Sequence, residues 1–121
     1  MNSPSRVLIV EDEEDIRESV AMWLGVAGYD TTQASDGVDG LESAVTSPPD
    51  AILLDMMMPR MNGLKAMEGL KATAATAEIP VVMLSASLRD EQRALDAGAR
   101  FFIHKPYDHK KLLAALKSAL A

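Results

Sequence analysis

The sequence has no cysteine among its 121 residues. That removes disulfides and thiolate metal sites, and it fits a reducing compartment. Tryptophan occurs once, as Trp23, and like the eight methionines it falls at helical or strand spacing that reads as core packing rather than as a cofactor box. No apolar run approaches the roughly 20 residues needed to cross a bilayer. Residues 1–6 are polar and do not resemble a charged head followed by an apolar export core, so the chain is expected to be cytoplasmic and to make no use of a membrane. Basic residues are outnumbered, 12 Lys and Arg against 18 Asp and Glu, for a net charge of -6. They are also scattered rather than gathered into a stripe, so direct nucleic-acid binding by this chain is not expected.

What is present suits one ordinary domain over residues 1–121. Apolar residues make up 48% and charged residues 25%, close to the averages for folded proteins. Five short apolar segments, at residues 6–10, 29–34, 51–54, 80–84 and 101–104, alternate with helical patterns, the signature of an α/β parallel sheet wrapped by helices. Four of the five are continuous apolar runs, as strands covered on both faces should be. The second contains Asp30, Thr31, Thr32 and Gln33, a polar, β-branched run that predicts a sheet edge.

Helical spacing of Ile16, Val20, Leu24 and Ala27 marks a first helix, with Gly28 as its left-handed stop. Val38, Leu41, Ala44 and Val45 form the expected buried stripe of a second, ended by Pro48 and Pro49. Leu64, Met67 and Leu70 mark a third, followed by an Ala- and Thr-rich stretch at residues 72–77. A fourth is expected to start at a Ser87–Asp90 pairing and to close at Gly98. The fifth, residues 108–120, carries Leu112, Leu113, Leu116 and Leu120. The chain stops almost where this last helix does, so no output domain is expected within it.

Ligands of open parallel sheets bind beyond the carboxyl ends of the strands, and those positions carry the chemistry here. The first strand leads into Glu11 and Asp12, the third into Asp55, the fourth into Ser85 and the fifth into Lys105. Each has an ordinary reading when taken alone. An acidic run at a helix start complements the macrodipole, an aspartate begins a turn, a serine caps a helix, and a lysine neutralises nearby acids. Joint placement at four strand ends is what these readings do not predict. Three carboxylates brought together repel, and a hard divalent cation such as Mg²⁺ relieves them. With that charge balanced by the cation and by Lys105, the Asp55 carboxylate could attack phosphorus and become an acyl phosphate, with Ser85 hydrogen-bonding the attached group.

Val7-Leu8-Ile9-Val10-Glu11-Asp12-Glu13, Leu53-Leu54-Asp55-Met56-Met57-Met58-Pro59 with Gly63, Ser85-Ala86 and Lys105-Pro106 together resemble the receiver domains of two-component response regulators, including the single-domain chemotaxis type. The resemblance covers essentially the whole chain. It implies a flavodoxin-like, doubly wound five-stranded parallel sheet of order 2-1-3-4-5 with five helices, the order described for chemotaxis receivers. It further implies that Asp55 is the phosphoacceptor and that Glu11, Asp12, Asp55 and the Met57 backbone carbonyl hold Mg²⁺. Lys105 would contact the phosphoryl group, Ser85 would be the switch hydroxyl, Phe102 a second switch residue, and Lys105-Pro106 a cis peptide. Glu11 departs from the aspartate of many members by one methylene, and the side chains of Met57 and Ser87 stand at positions that tune phosphoryl lifetime.

The implied partners are a sensor histidine kinase or histidine phosphotransfer protein and a downstream output protein or domain. The implied role is a phosphorelay switch rather than a turnover enzyme. The alternative is a non-phosphorylated receiver serving as an interaction scaffold. A dehalogenase-type phosphatase needs a second acid where Met57 stands, and a flavin carrier needs a Gly/Ser/Thr-rich loop where residues 11–15 are acidic.

Overall fold

The computed structural model describes residues 4–58 and 61–121; Pro59 of the Asp55 motif therefore lies outside the described residues. Within them the elements run β1 (Arg6–Val10), α1 (Glu14–Val26), β2 (Asp30–Ala34), α2 (Gly37–Thr46), β3 (Ala51–Asp55), α3 (Gly63–Ala72), β4 (Val81–Ser85), α4 (Asp90–Asp96), β5 (Phe101–His104) and α5 (His109–Leu120). All strand pairs are parallel, in the order β2-β1-β3-β4-β5. This is the expected doubly wound order, and β2 lies at an edge as its polar composition requires.

Alternate side chains of each strand point to opposite faces, and the core accordingly has two layers. Leu8, Val10, Ile52, Leu54, Val81 and Met83 meet Ala44 of α2, Ala66, Met67 and Leu70 of α3, and Ala94 of α4. On the other face Val7, Ile9, Ala51, Leu53, Val82 and Leu84 meet Val20 and Leu24 of α1 and Leu112, Leu116 and Ala119 of α5. Every residue of β3 and β4 is buried. The fifth strand departs from the expectation of cover on both faces. It forms the second edge of the sheet, and of its four residues only Ile103 is buried.

Several helix details also differ from the sequence expectation. Val38 and Val45 are exposed, and α2 buries Gly37, Gly40 and Ala44 instead. The cause is close approach to the sheet: a Cβ on Gly40 would sit 2.8 Å from Val10 Cγ2, so the face that touches β1 has to be small and the large aliphatics turn outward. Ala27 is exposed, because α1 has already ended at Val26; Gly28 follows at φ 99°, and the Tyr29 N–H bonds the Leu24 carbonyl at 2.9 Å, closing the helix as expected. Beyond Ala72, the last residue of α3, the Ala/Thr-rich stretch runs on as turns. The buried Thr76 hydroxyl pins it by donating to the Leu70 carbonyl at 2.6 Å.

Helix α4 starts at Asp90 rather than Ser87, and no side chain caps it. Asp36, Asn62 and Asp108, by contrast, each accept from a backbone N–H at the start of α2, α3 and α5, as N-cap residues do.

Candidate functional site

The strand ends deliver the expected groups to one rim of the sheet. Asp55 and Ser85 are themselves the last residues of β3 and β4, and Glu11 follows directly on β1. Burial of hydrophobic neighbours on both faces carries the carboxylates of Glu11 and Asp55 inward until each residue is only 3% exposed. Asp12 stays exposed. One carboxylate oxygen from each of Glu11, Asp12 and Asp55 lies within 4.8 Å of the others.

Lys105 reaches this cluster from the turn after β5. Its Nζ donates to Asp55 Oδ1 at 2.8 Å and to Glu11 Oε1 at 3.2 Å. Burial by itself would push the ammonium toward losing its proton, but the hydrogen bond and charge of Asp55, reinforced by Glu11, outweigh it and raise the Lys105 pKa. One ammonium cannot balance three carboxylates. The surplus appears on Glu11, whose pKa is pushed up to about 7, first by burial and then by the Asp55 charge, with Lys105 pulling the other way. Its Oε2 is the one buried side-chain oxygen or nitrogen without a hydrogen-bond partner among the described residues. A buried orphan acceptor is costly, and here it borders a set of hard oxygen donors that a small divalent cation suits. The residues present thus fit a bound Mg²⁺.

Ser85 stands slightly apart. Its hydroxyl donates to Asp90 Oδ2 at 2.6 Å and accepts from the Ser87 N–H at 3.1 Å. The expected Ser87–Asp90 pairing is thereby corrected: the serine that engages the Asp90 carboxylate is Ser85, because the loop brings the end of β4 against the first residue of α4. Asp90 is the residue that sequence reasoning missed at this rim. Its burial at 7% exposed is the unusual feature, and an acidic residue opening a helix gives no sign of it.

The remaining expected residues are placed as follows. Phe102 is half-buried and packs against the α2/α3/α4 layer. The Met57 side chain is 71% exposed. The Lys105-Pro106 peptide is cis, as the resemblance implies. Tyr107 is half-buried against the α1/α5 layer, and burial raises the pKa of its phenol. His104 bonds the Ala86 carbonyl at 2.8 Å, while the His109 ring lies 5.4 Å from that of Trp23, so both histidines have structural partners.

Comparison with known proteins agrees with this geometry. The chain is 38% identical over 117 residues to the "DNA-binding dual master transcriptional regulator RpaA" of Synechocystis sp., covering 95% of this chain and 48% of that protein. It is 37% identical over 119 residues to the response regulator MprA of Mycobacterium sp. (strain KMS), covering 97% of this chain and 51% of that protein. The chain therefore spans about half the length of these curated relatives. Among solved structures, the chemotaxis protein CheY4 of Vibrio cholerae superposes with a TM-score of 0.90 at 30% identity, over 97% of this chain and 99% of that one. Residues 7–117 match the response regulator receiver domain, and with a CheY-like sheet order and fold around them the chain belongs to the receiver-domain family of two-component response regulators.

Proposed function

We propose that this chain is a phosphorylation-dependent switch in which Asp55 accepts a phosphoryl group from a phosphohistidine on a sensor kinase or phosphotransfer protein. The observation that carries the reading is the Lys105 ammonium, 2.8 Å from Asp55 Oδ1 and bonded also to Glu11. An anionic phosphoryl donor is repelled by a lone carboxylate, and a fixed cation beside the nucleophile lowers that barrier without reorganising.

In the transfer an Asp55 oxygen forms the new P–O bond as the P–N bond to the donor histidine breaks. The bonding electron pair leaves with the imidazole, which then takes a proton. Lys105 meets the phosphoryl oxygens, and the Ser85 hydroxyl turns to donate to one of them. Glu11, Asp12, Asp55 and the Met57 carbonyl would hold Mg²⁺, which when bound supplies positive charge against both the carboxylates and the phosphoryl oxygens. The chain assists its own phosphorylation and dephosphorylation but turns over no separate substrate.

The added charge is captured by Ser85 and Lys105, and Phe102 repacks with the β4–α4 loop. The surface altered is that of α4, β5 and α5, where Arg89, Arg93, Arg100, His104 and Lys110 are exposed. A downstream output protein or domain reads it.

Intact mass after incubation with acetyl phosphate and Mg²⁺ tests the chemistry. One phosphoryl adduct, lost in Asp55→Asn and without Mg²⁺, is expected. An adduct that persists in Asp55→Asn overturns the assignment, and no adduct under any of these conditions favours the scaffold reading.

A further inference from the structure

The Ser85 hydroxyl has one proton to give, and in this structure it goes to Asp90 Oδ2 at 2.6 Å. That distance lies in the range of charge-assisted hydroxyl–carboxylate bonds. Both residues are buried, Ser85 at 1% and Asp90 at 7% exposed, so water does not compete for the bond. The other Asp90 oxygen, Oδ1, is 3.6 Å from the Arg93 guanidinium, which leaves the carboxylate a cationic neighbour if the hydroxyl departs. Asp90 is also the first residue of α4, a helix that no side chain caps. Its bond to Ser85 ties the first turn of that helix to the end of β4.

We propose that Asp90 is a positioning residue: it holds the Ser85 proton in the unphosphorylated protein, so that an anion attached to Asp55 must win that proton from a carboxylate, and in winning it releases the start of α4. The inference rests on the reading of Asp55 as phosphoacceptor. It adds a second acceptor that opposes switching and connects the proton to the helix it moves. A ligand shifts such an equilibrium only by its difference in affinity for the two arrangements. Removing the competing acceptor therefore strengthens capture of any phosphoryl-like group, and only while the Ser85 hydroxyl is present.

The test is equilibrium binding of beryllofluoride, a reversible mimic of a carboxylate-bound phosphoryl group, with Mg²⁺ present. Amide spectra of the full chain provide the readout. Asp90→Ala is expected to bind roughly tenfold more tightly than wild type, the lower end of what a hydrogen bond to a charged group is worth. Its Ser87 amide, whose N–H donates to Ser85 Oγ, should be displaced toward the bound position before any ligand is added. In a Ser85→Ala background the same substitution should change neither quantity, and Asp96→Asn, which removes a different α4 carboxylate, should bind as wild type. Asp90→Asn preserves shape should the alanine variant unfold, and it is expected to tighten binding by a smaller factor. Unchanged affinity in the Asp90 variants, or equal tightening with and without the Ser85 hydroxyl, overturns the proposal while leaving the Asp55 assignment intact. Beryllofluoride binding that survives Asp55→Asn overturns both.

Discussion

Lys105 Nζ and Asp55 Oδ1 are 2.8 Å apart although 50 residues separate them in sequence, and the same ammonium bonds Glu11 from 94 residues away. The pair fastens the ends of β1, β3 and β5 to one another. Removing the amine leaves two nearly enclosed carboxylates facing each other without a counter-charge. Lys105→Ala should therefore cost about 2 kcal/mol in metal-free urea denaturation, less than the roughly 3–5 kcal/mol for a fully enclosed pair, because 22% of the Lys105 side chain is exposed. Added Mg²⁺ should recover part of the loss. A variant as stable as wild type without metal would show that the amine contributes little to the fold.

Glu11 makes stability depend on pH. Its folded pKa is raised from 4.5 to about 7 by burial and then by the Asp55 charge, so between those values the folded chain holds a proton that the unfolded chain has lost. Stability from this group is complete below about pH 4.5 and falls as pH rises through about 7. The effect is on the order of 3 kcal/mol across the window. Thermal unfolding without metal, in buffers from pH 5 to pH 8, should show this slope, and Glu11→Gln should flatten it. Mg²⁺ should flatten it as well, since the cation takes over the role of the proton. A wild-type slope retained in Glu11→Gln would assign the titration to another group.

Much of this architecture is legible before any coordinates, and the reason is local. Segments such as residues 51–54 are short apolar runs buried on both faces, and glycines such as Gly28 at φ 99° stop helices by backbone geometry that few other residues tolerate. Glu11, Asp12, Asp55, Ser85 and Lys105 were legible because each sits at or just after a strand end. What stayed hidden depends on distances between elements. The inward face of α2 could not be foreseen from Val38 and Val45, because only the spacing between Gly40 and Val10 shows that large side chains do not fit there. Asp90 read as an ordinary helix-start acid because its partner is set by the path of the β4–α4 loop, which no periodicity encodes.

Gly63 stands against the backbone where β3 ends in Asp55. A Cβ there would lie 2.8 Å from both the Asp55 carbonyl oxygen and Met56 Cα, and backbone, unlike a side-chain tip, cannot swing aside. The Gly63 N–H also bonds the Met56 carbonyl at 2.8 Å. Gly63→Ala should destabilise the fold by about 1–3 kcal/mol through overpacking, despite the better helix propensity of alanine. It should also slow phosphorylation by displacing Asp55 from Lys105. Stability and rate equal to wild type would mean that α3 shifts outward freely.

Asp12 allows metal binding to be tested apart from the fold. It is exposed, unlike Glu11 and Asp55, yet one of its oxygens lies within 4.8 Å of theirs. Replacing it removes one unit of negative charge from the cluster without emptying a buried site, so Asp12→Asn should match or slightly exceed wild-type stability in metal-free buffer. Mg²⁺ should behave differently in the two proteins. A ligand that binds only the folded state stabilises by RT ln(1 + [L]/Kd), about 2.7 kcal/mol at a hundredfold excess over Kd. Wild type should therefore rise in melting temperature as Mg²⁺ is added, and Asp12→Asn should need about tenfold or more Mg²⁺ for the same rise, the scale of 1.4 kcal/mol for one lost anionic ligand. Superimposable Mg²⁺ curves for the two proteins would place the cation away from these carboxylates, and the phosphoryl-transfer reading would then have to stand on Lys105 alone.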